Sequence, residues 1–287
     1  MKLINHGILF LMALATVACG STDPLEKVTF ADSGKSFNLI SGSSRGGSAI
    51  CDGVEYYAVF DDENKKATVT ISNLRLETED EPMSFTFSEL DWHFGPSSHT
   101  MQRVIEREEL VPDNDFGTGH RFSDFVMVYS QANEFDPSES AGFYIRYIID
   151  DHYTVTAFPE KILCRGTTIV METDSGRKTV SYDTDYAVTL KAGERCSADM
   201  TITGLPVYGR TITVTGLNLT LTPRGYGLDS GSSTRVTAGR GGDGVTLLSL
   251  EATADMLDDL TIDMRLAVAG ITYSVQAYLS PNLAPTR

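Results

Sequence analysis

Positive charge is scarce in this chain. Lys and Arg number 23 against 39 Asp and Glu, and the formal net charge is -16. Such a surface repels a polyanion, so nucleic acid is excluded as a partner. Cysteine occurs four times and tryptophan once. Four cysteines are too few for a disulfide-dense scaffold, and no Cys or His pair has the close spacing of a zinc site. Past the first twenty residues, no stretch approaches the roughly eighteen apolar residues of a membrane-spanning helix. Helical periodicity is almost absent, and so are the sequence signatures of phosphate loops and metalloproteases.

The first residues read as an export signal over 1–18. Lys2 supplies a positive start, Ile8 to Val17 is apolar, and Ala15-Thr16-Val17-Ala18 leads into Cys19. The run is too short and wrongly flanked for a spanning helix. ATVAC resembles a bacterial lipoprotein signal. That resemblance implies a lipid on Cys19, a short tether over 19–27 and a membrane partner reached through the lipid. Gly20 stands where inner-membrane retention calls for an acid, so the expected location is the outer membrane, on its surface or periplasmic side. After Cys19 there remain Cys51, Cys164 and Cys196. The exported compartment permits disulfides, and Cys164 with Cys196, in the same half of the chain, are the expected pair. Three buried thiols are the other reading.

The main content of the sequence is repetition. YYAVF at 56–60 and ATVTISNL at 67–74 are answered by DYAVTL at 185–190 and ADMTITGL at 198–205. MSFTFSELDWHFGP at 83–96 is answered by RTITVTGLNLTLTP at 210–223. The stretch ending YTVTAFP at 159 is answered by one ending YSVQAYL at 279. Four blocks in one order imply an internal duplication. Their period-two alternation of β-branched and aromatic residues with polar ones marks half-buried antiparallel strands. Two stretches, near 98–111 and 251–260, read as helices.

The expected fold is therefore all-β: two tandem antiparallel β-sandwich domains over 28–160 and 161–287, related by duplication. Small β-barrels would bury the same alternation and are the alternative. The halves differ in charge, with 24 acids and 10 bases over 27–160 against 13 and 12 over 161–287.

Little of this carries chemistry. Gly42-Ser43-Ser44-Arg45-Gly46 satisfies the nucleophile pattern G-x-S-x-G, but a strand follows it instead of the helix that pattern needs. His93, His99 and His120 have nearby glutamates without ligand spacing. The oxygen-rich run PDNDFGTGH at 112–120 lacks the order of a calcium loop. Hence no catalytic residue, metal or cofactor is assigned, and the chain reads as non-enzymatic. Phe94, Phe116 and Phe135 lie at or near loops and are the candidate ligand platform, since pyranose rings stack on exposed aromatic faces.

The lipoprotein signal, the paired β-domains and the chain size resemble uncharacterised surface lipoproteins of Bacteroides-type bacteria and, more loosely, the fimbrillin type. That resemblance implies a structural or binding role at the cell envelope, in its sharper form that of a fimbrial subunit or anchor among other envelope or pilus subunits. It would entail trimming at Arg45 and a removable strand at Phe37–Ile40. The alternative is a carbohydrate-binding lipoprotein of a nutrient-uptake system, with glycans as partners.

Overall fold

The computed structural model describes residues 28–281 apart from 32–35, 43–48, 51–52, 78–79, 96–101, 114–118, 131–141, 160, 192–195, 223–224, 239–243 and 256–259. The described residues form 21 strands and no helix. In the first half these are β1 (Val28–Ala31), β2 (Ser36–Ser41), β3 (Ala49–Ile50), β4 (Glu55–Asp61), β5 (Lys66–Leu74), β6 (Met83–Asp91), β7 (His93–Phe94), β8 (Gln102–Leu110), β9 (Phe122–Ser130), β10 (Gly142–Ile149) and β11 (Tyr153–Pro159). The second half comprises β12 (Lys161–Glu172), β13 (Lys178–Ser181), β14 (Asp185–Lys191), β15 (Ser197–Thr203), β16 (Ile212–Thr222), β17 (Gly225–Asp229), β18 (Arg235–Ala238), β19 (Val245–Asp255), β20 (Leu260–Val268) and β21 (Ile271–Pro281).

The two halves are not two tandem sandwiches. In the second, strands run in the order β12-β14-β15-β16-β17-β19-β20-β21, and β21 pairs back onto β12, which closes an eight-stranded barrel. β13 and β18 lie outside this ring, paired to β12 and β16. In the first half, a four-stranded sheet, β1-β4-β5-β6, and a seven-stranded sheet, β3-β2-β11-β10-β9-β8-β7, share one apolar core.

The strand order nevertheless repeats. β4-β5-β6 and β14-β15-β16 are equivalent meanders, and β10-β11 and β20-β21 are equivalent hairpins. β12 pairs with both β14 and β21, whereas in the first half two separate strands do this work: β1 pairs with β4, and β2 with β11. One buried contact locates the correspondence. Asn38 sits opposite Ala157 in the phrase YTVTAFP, and Thr168 sits opposite Ala277 in YSVQAYL. Tyr56 donates its hydroxyl to Asn38 Oδ1 at 2.9 Å, and the Tyr186 hydroxyl meets Thr168 Oγ1 at 3.1 Å. The first half thus repeats the order of the ring, but among the described residues its strands fall into two sheets, with β1 and β6 in one and β2, β7 and β8 in the other.

Side-chain volume explains the difference. An eight-stranded barrel has an interior just wide enough for side chains to fill. The second half fills it with Ala198, Ala252, Ala254, Ala277 and medium aliphatics such as Val188, Val214 and Leu266. At the heart of the first half lie Tyr56, Phe60, Phe85, Phe87, Phe122, Phe125 and Tyr147. The rings of Phe85, Phe87, Phe122, Phe125 and Tyr147 pack with centroids 4.8–6.0 Å apart in edge-on, tilted and stacked contacts. That many rings need two facing sheets rather than a closed cylinder.

Where they are described, both expected helices are strands: β8 over Gln102–Leu110 and the C-terminal part of β19, up to Asp255, while 98–101 and 256–259 lie outside the described residues. Glu, Arg, Leu and Met favour helix locally, but ladders to β9 and to β17 and β20 override that preference. In β8, Gln102 through Ile105 are all buried, because the strand is covered on both faces. Ile105 faces the first-half core, while Val104 joins Val128, Tyr144 and Phe158 against the barrel's core cluster. Phe158 meets Tyr226 edge-on at 5.4 Å. The seven-stranded sheet therefore packs on the aromatic core with one face and on the barrel with the other.

Candidate functional site

The barrel interior is filled, with Val188, Met200, Ile202, Val214, Leu217, Leu250 and Val275 fully buried. A ligand must therefore be met on the outside. Among the described residues the most exposed aromatic rings are Tyr182 (68 %) and Tyr278 (53 %), and strand register brings both to one place.

On β12 the alternation sends Ile162, Cys164, Thr168 and Val170 inward, so Thr167 faces out. Tyr278 of β21 lies directly opposite Thr167. On the other side β13 pairs Ser181 with Thr168, which places Tyr182, one residue on, beside Thr167 as well. The two tyrosines flank one threonine at two inter-strand spacings, about 10 Å apart at the backbone. Ser181 Oγ accepts the Asp183 N–H at 3.2 Å and the Thr184 hydroxyl at 3.1 Å, which fixes the turn carrying Tyr182. Gly166 permits the close packing of β12 on β21: a β-carbon there would stand 2.2 Å from the Tyr278 carbonyl oxygen. Polar groups border the rings. Thr261 lies opposite Tyr278, and one row along Gln276 Nε2 donates to Asp263 Oδ1 at 3.0 Å. Val180, half exposed, continues the apolar strip opposite Ile169.

Phe94, the described member of the expected platform, makes a poorer one. It is 48 % exposed, but Trp92 meets it edge-on at 5.1 Å and the Lys65 ammonium lies over its ring at 4.7 Å. The same ammonium lies 4.3 Å from the Trp92 centroid, so this cluster is already satisfied as a cation–aromatic contact. Phe116 and Phe135 lie outside the described residues, as do Cys19, Cys51, Ser44, Arg45, His99 and 114–118 of the oxygen-rich run.

Cys164 and Cys196 are not joined. Cys164 pairs with Tyr186, and Tyr186 with Ile202 of β15, whereas Cys196 precedes the start of that strand. The thiols are thus two strands apart and six residues out of register, about 20 Å along the strand direction. A disulfide needs α-carbons within about 7 Å. Burial raises the Cys196 thiol above its ordinary pKa.

His93 is exposed. His120 Nδ1 lies 2.7 Å from Asp150 Oδ2. Burial pushes the Asp150 carboxyl up, but the Arg121 N–H and His120 outweigh it and hold the group below its usual range. No cluster of three or more metal-ligating side chains occurs among the described residues. Phe37–Ile40, expected as a removable strand, lies within β2, paired along β11.

No protein-family model matches this chain, and no curated protein matches it. Among solved structures it is similar to the isotype 1 transferrin binding protein B from serogroup B Neisseria meningitidis. That similarity has 7 % identity, covers 90 % of this chain and 77 % of the other, and has a TM-score of 0.24. At that score it carries no argument about function.

Sequence reasoning missed the two tyrosines because it looked for aromatic residues in loops. The signal was present in the alternation. In YSVQAYL, Val275, Ala277 and Leu279 are the inward set, so Tyr278 belongs to the polar face with Gln276.

Proposed function

We propose that this chain is a non-enzymatic, carbohydrate-binding lipoprotein of the bacterial outer membrane, held by a lipid on Cys19. Its binding surface is the barrel wall at Tyr182 and Tyr278. One observation carries the reading: two highly exposed tyrosines flank a small residue on the outside of a barrel whose interior is full. Aromatic faces match the C–H faces of pyranose rings. The hydroxyls of Thr167 and Thr261, and the paired Gln276 and Asp263, match sugar hydroxyls. A linear glycan lying across the strands would cover both rings.

Assembly by release of Phe37–Ile40 finds less support. Withdrawal of β2 would take the buried Asn38 from the Tyr56 hydroxyl and bare the edge of β11.

The test is a glycan array probed with the mature chain, followed by calorimetric titration of each hit. Tyr182→Ala and Tyr278→Ala should each weaken binding roughly five- to tenfold. The double variant should abolish it at unchanged thermal stability, since both side chains lie on the surface. Glycan binding that survives the double variant would reject this site, and an array without hits would reject carbohydrate as the ligand.

A further inference from the structure

β13 keeps one edge without a strand beside it. It lies on the same side of β12 as β14 and in line with it: Thr168–Met171 pairs with β13 and Lys161–Arg165 with β14. β15 follows the far side of β14 only as far as Thr203, opposite Asp185. There Gly204, at φ +78°, turns the chain over the end of the barrel, where Leu205 is buried and Val207 and Tyr208 pack on the core. Every residue of 161–191 is described. Beyond the turn, β13 stands at the end of its sheet with β12 as its one partner among the described residues. Lys178, Thr179 and Val180 are all exposed, so the strand is bare on both faces.

The ladder to β12 determines what this edge presents. Glu172 N–H donates to the Arg177 carbonyl at 2.9 Å. The bonded pairs between the two strands are therefore Val170 with Thr179 and Thr168 with Ser181. Lys178, Val180 and Tyr182 turn their backbone groups the other way, outward. An antiparallel partner bonds such an edge only by setting its own outward-turned residues opposite these.

A second copy of the same strand meets that condition. In the two-fold register Val180 lies opposite Val180 of the other copy, and Lys178 opposite its Tyr182. The intervening residues form the closer, non-bonded pairs: Thr179 with Ser181 and, at each end, Arg177 with Asp183. Arg177 and Asp183 are exposed, and neither is ion-paired among the described residues. A slip of two residues one way sets Arg177 against Ser181. The other way runs it into the part of β14 that β15 already covers. On the outer face Val180, 50 % exposed and opposite Ile169, would join the same pair of the other copy in one apolar strip.

We propose that two copies of this chain associate edge to edge through β13, about a two-fold axis at Val180. Each copy uses the same surface, so the contact closes at a dimer. Lys178 and the short length guard this edge against unrelated strands. A strand that brings Tyr182 to Lys178 and Asp183 to Arg177 satisfies both cations. The proposal does not depend on carbohydrate binding, and it sets both tyrosine platforms on one face of a continuous sheet.

Sedimentation equilibrium of the mature chain over about 1–500 µM, with amide exchange at both ends of that range, tests it. The mass should pass from one chain to two, and the amides of Lys178, Val180 and Tyr182 should gain protection as it does. Val180→Pro removes an outward N–H and leaves the β12 ladder whole, so it should abolish the dimer at unchanged circular dichroism. Arg177→Asp and Asp183→Arg should each weaken association roughly tenfold, since each sets like charges opposite one another twice. The two together should restore it. A chain that stays monomeric throughout would overturn the proposal. So would a dimer that survives Val180→Pro or is unmoved by the single reversals, because its contact lies elsewhere. Protection of the three amides in the monomer would also overturn it, since another segment of this chain would then hold the edge.

Discussion

The hydroxyl of Tyr186 lies 3.1 Å from Thr168 Oγ1 inside the closed barrel, and both residues are fully buried. Burial pushes the phenol's pKa up from 10.0 to about 12, opposed by the threonine hydrogen bond. Because the folded value is raised, the contribution of the neutral phenol is complete below pH 10. It is lost as pH rises from 10.0 toward about 12. Urea unfolding followed at stepped alkaline pH should show stability falling across that window. Tyr186→Phe should flatten part of the fall and cost about 1 kcal/mol at neutral pH, where Thr168 loses its partner. Tyr226, raised by burial and by Cys164, should account for some of the slope that remains.

A buried cation sets the second expectation. Arg103 is 1 % exposed and forks onto Asp62, with Nε at 3.1 Å from Oδ1 and Nη2 at 2.8 Å from Oδ2. Its guanidinium also lies 5.2 Å from the Trp92 centroid. Asp62→Ala leaves that charge buried without its carboxylate, and should cost about 3 kcal/mol. Arg103→Met should cost less, about 1 kcal/mol, since it removes the charge together with the need for a partner. Chemical denaturation of both variants checks the order, and an equal loss would refute it.

The contact between the halves gives a third. Phe158 is fully buried, with Tyr144 at 5.3 Å and Tyr226 at 5.4 Å. Phe158→Ala should cost about 3–5 kcal/mol and loosen the first half from the barrel. Trp92 is the chain's single tryptophan and belongs to the first-half core, so its fluorescence reports that half alone. Fluorescence and circular dichroism should coincide on unfolding of the parent chain and diverge in the variant.

Much of this architecture was legible in the sequence, because period two survives wherever one face is buried and one is wet. The blocks at 56–60, 67–74 and 83–91, and their partners in the second half, are strands in the order their repetition implied. The reading failed where both faces are covered, as at Gln102–Ile105, since alternation disappears there. Closure of the second half was only the alternative reading, for another reason. Sandwich and barrel share a pattern, and what separates them is the size of the inward residues: phenylalanines at 85 and 87, but isoleucine and valine at 212 and 214. Glycine carried the same message. Gly216, at φ +71°, sits where β16 slips against β15 and donates its N–H to Asp199 Oδ1 at 3.1 Å. Gly225 lies where a β-carbon would stand 2.0 Å from the Ala254 carbonyl oxygen. Glycines inside strands mark such bends and close approaches.

Gly166 allows the closure and the tyrosine platform to be tested together. It lies between the stretch of β12 that pairs with β14 and the stretch that pairs with β13. An added β-carbon would stand 2.2 Å from the Tyr278 carbonyl oxygen and 3.0 Å from the Leu279 α-carbon. Those are backbone atoms held in a ladder, so no rotamer change relieves the clash. Gly166→Ala should therefore push β21 away from β12, with a cost of about 2 kcal/mol. Gly176 serves as the control. It occupies φ +68° in the turn before β13, with open space around it. Its alanine variant should strain that turn by about 1 kcal/mol without touching the seam. Amide exchange separates the two: Tyr278 and Leu279 should lose protection in the first variant and keep it in the second. Both tyrosines depend on Thr167 for their spacing, so the first variant should also weaken glycan binding while leaving both rings in place. Unchanged exchange at Tyr278 in Gly166→Ala would mean that the β12–β21 contact tolerates a side chain, and that the glycine is not what lets the barrel close.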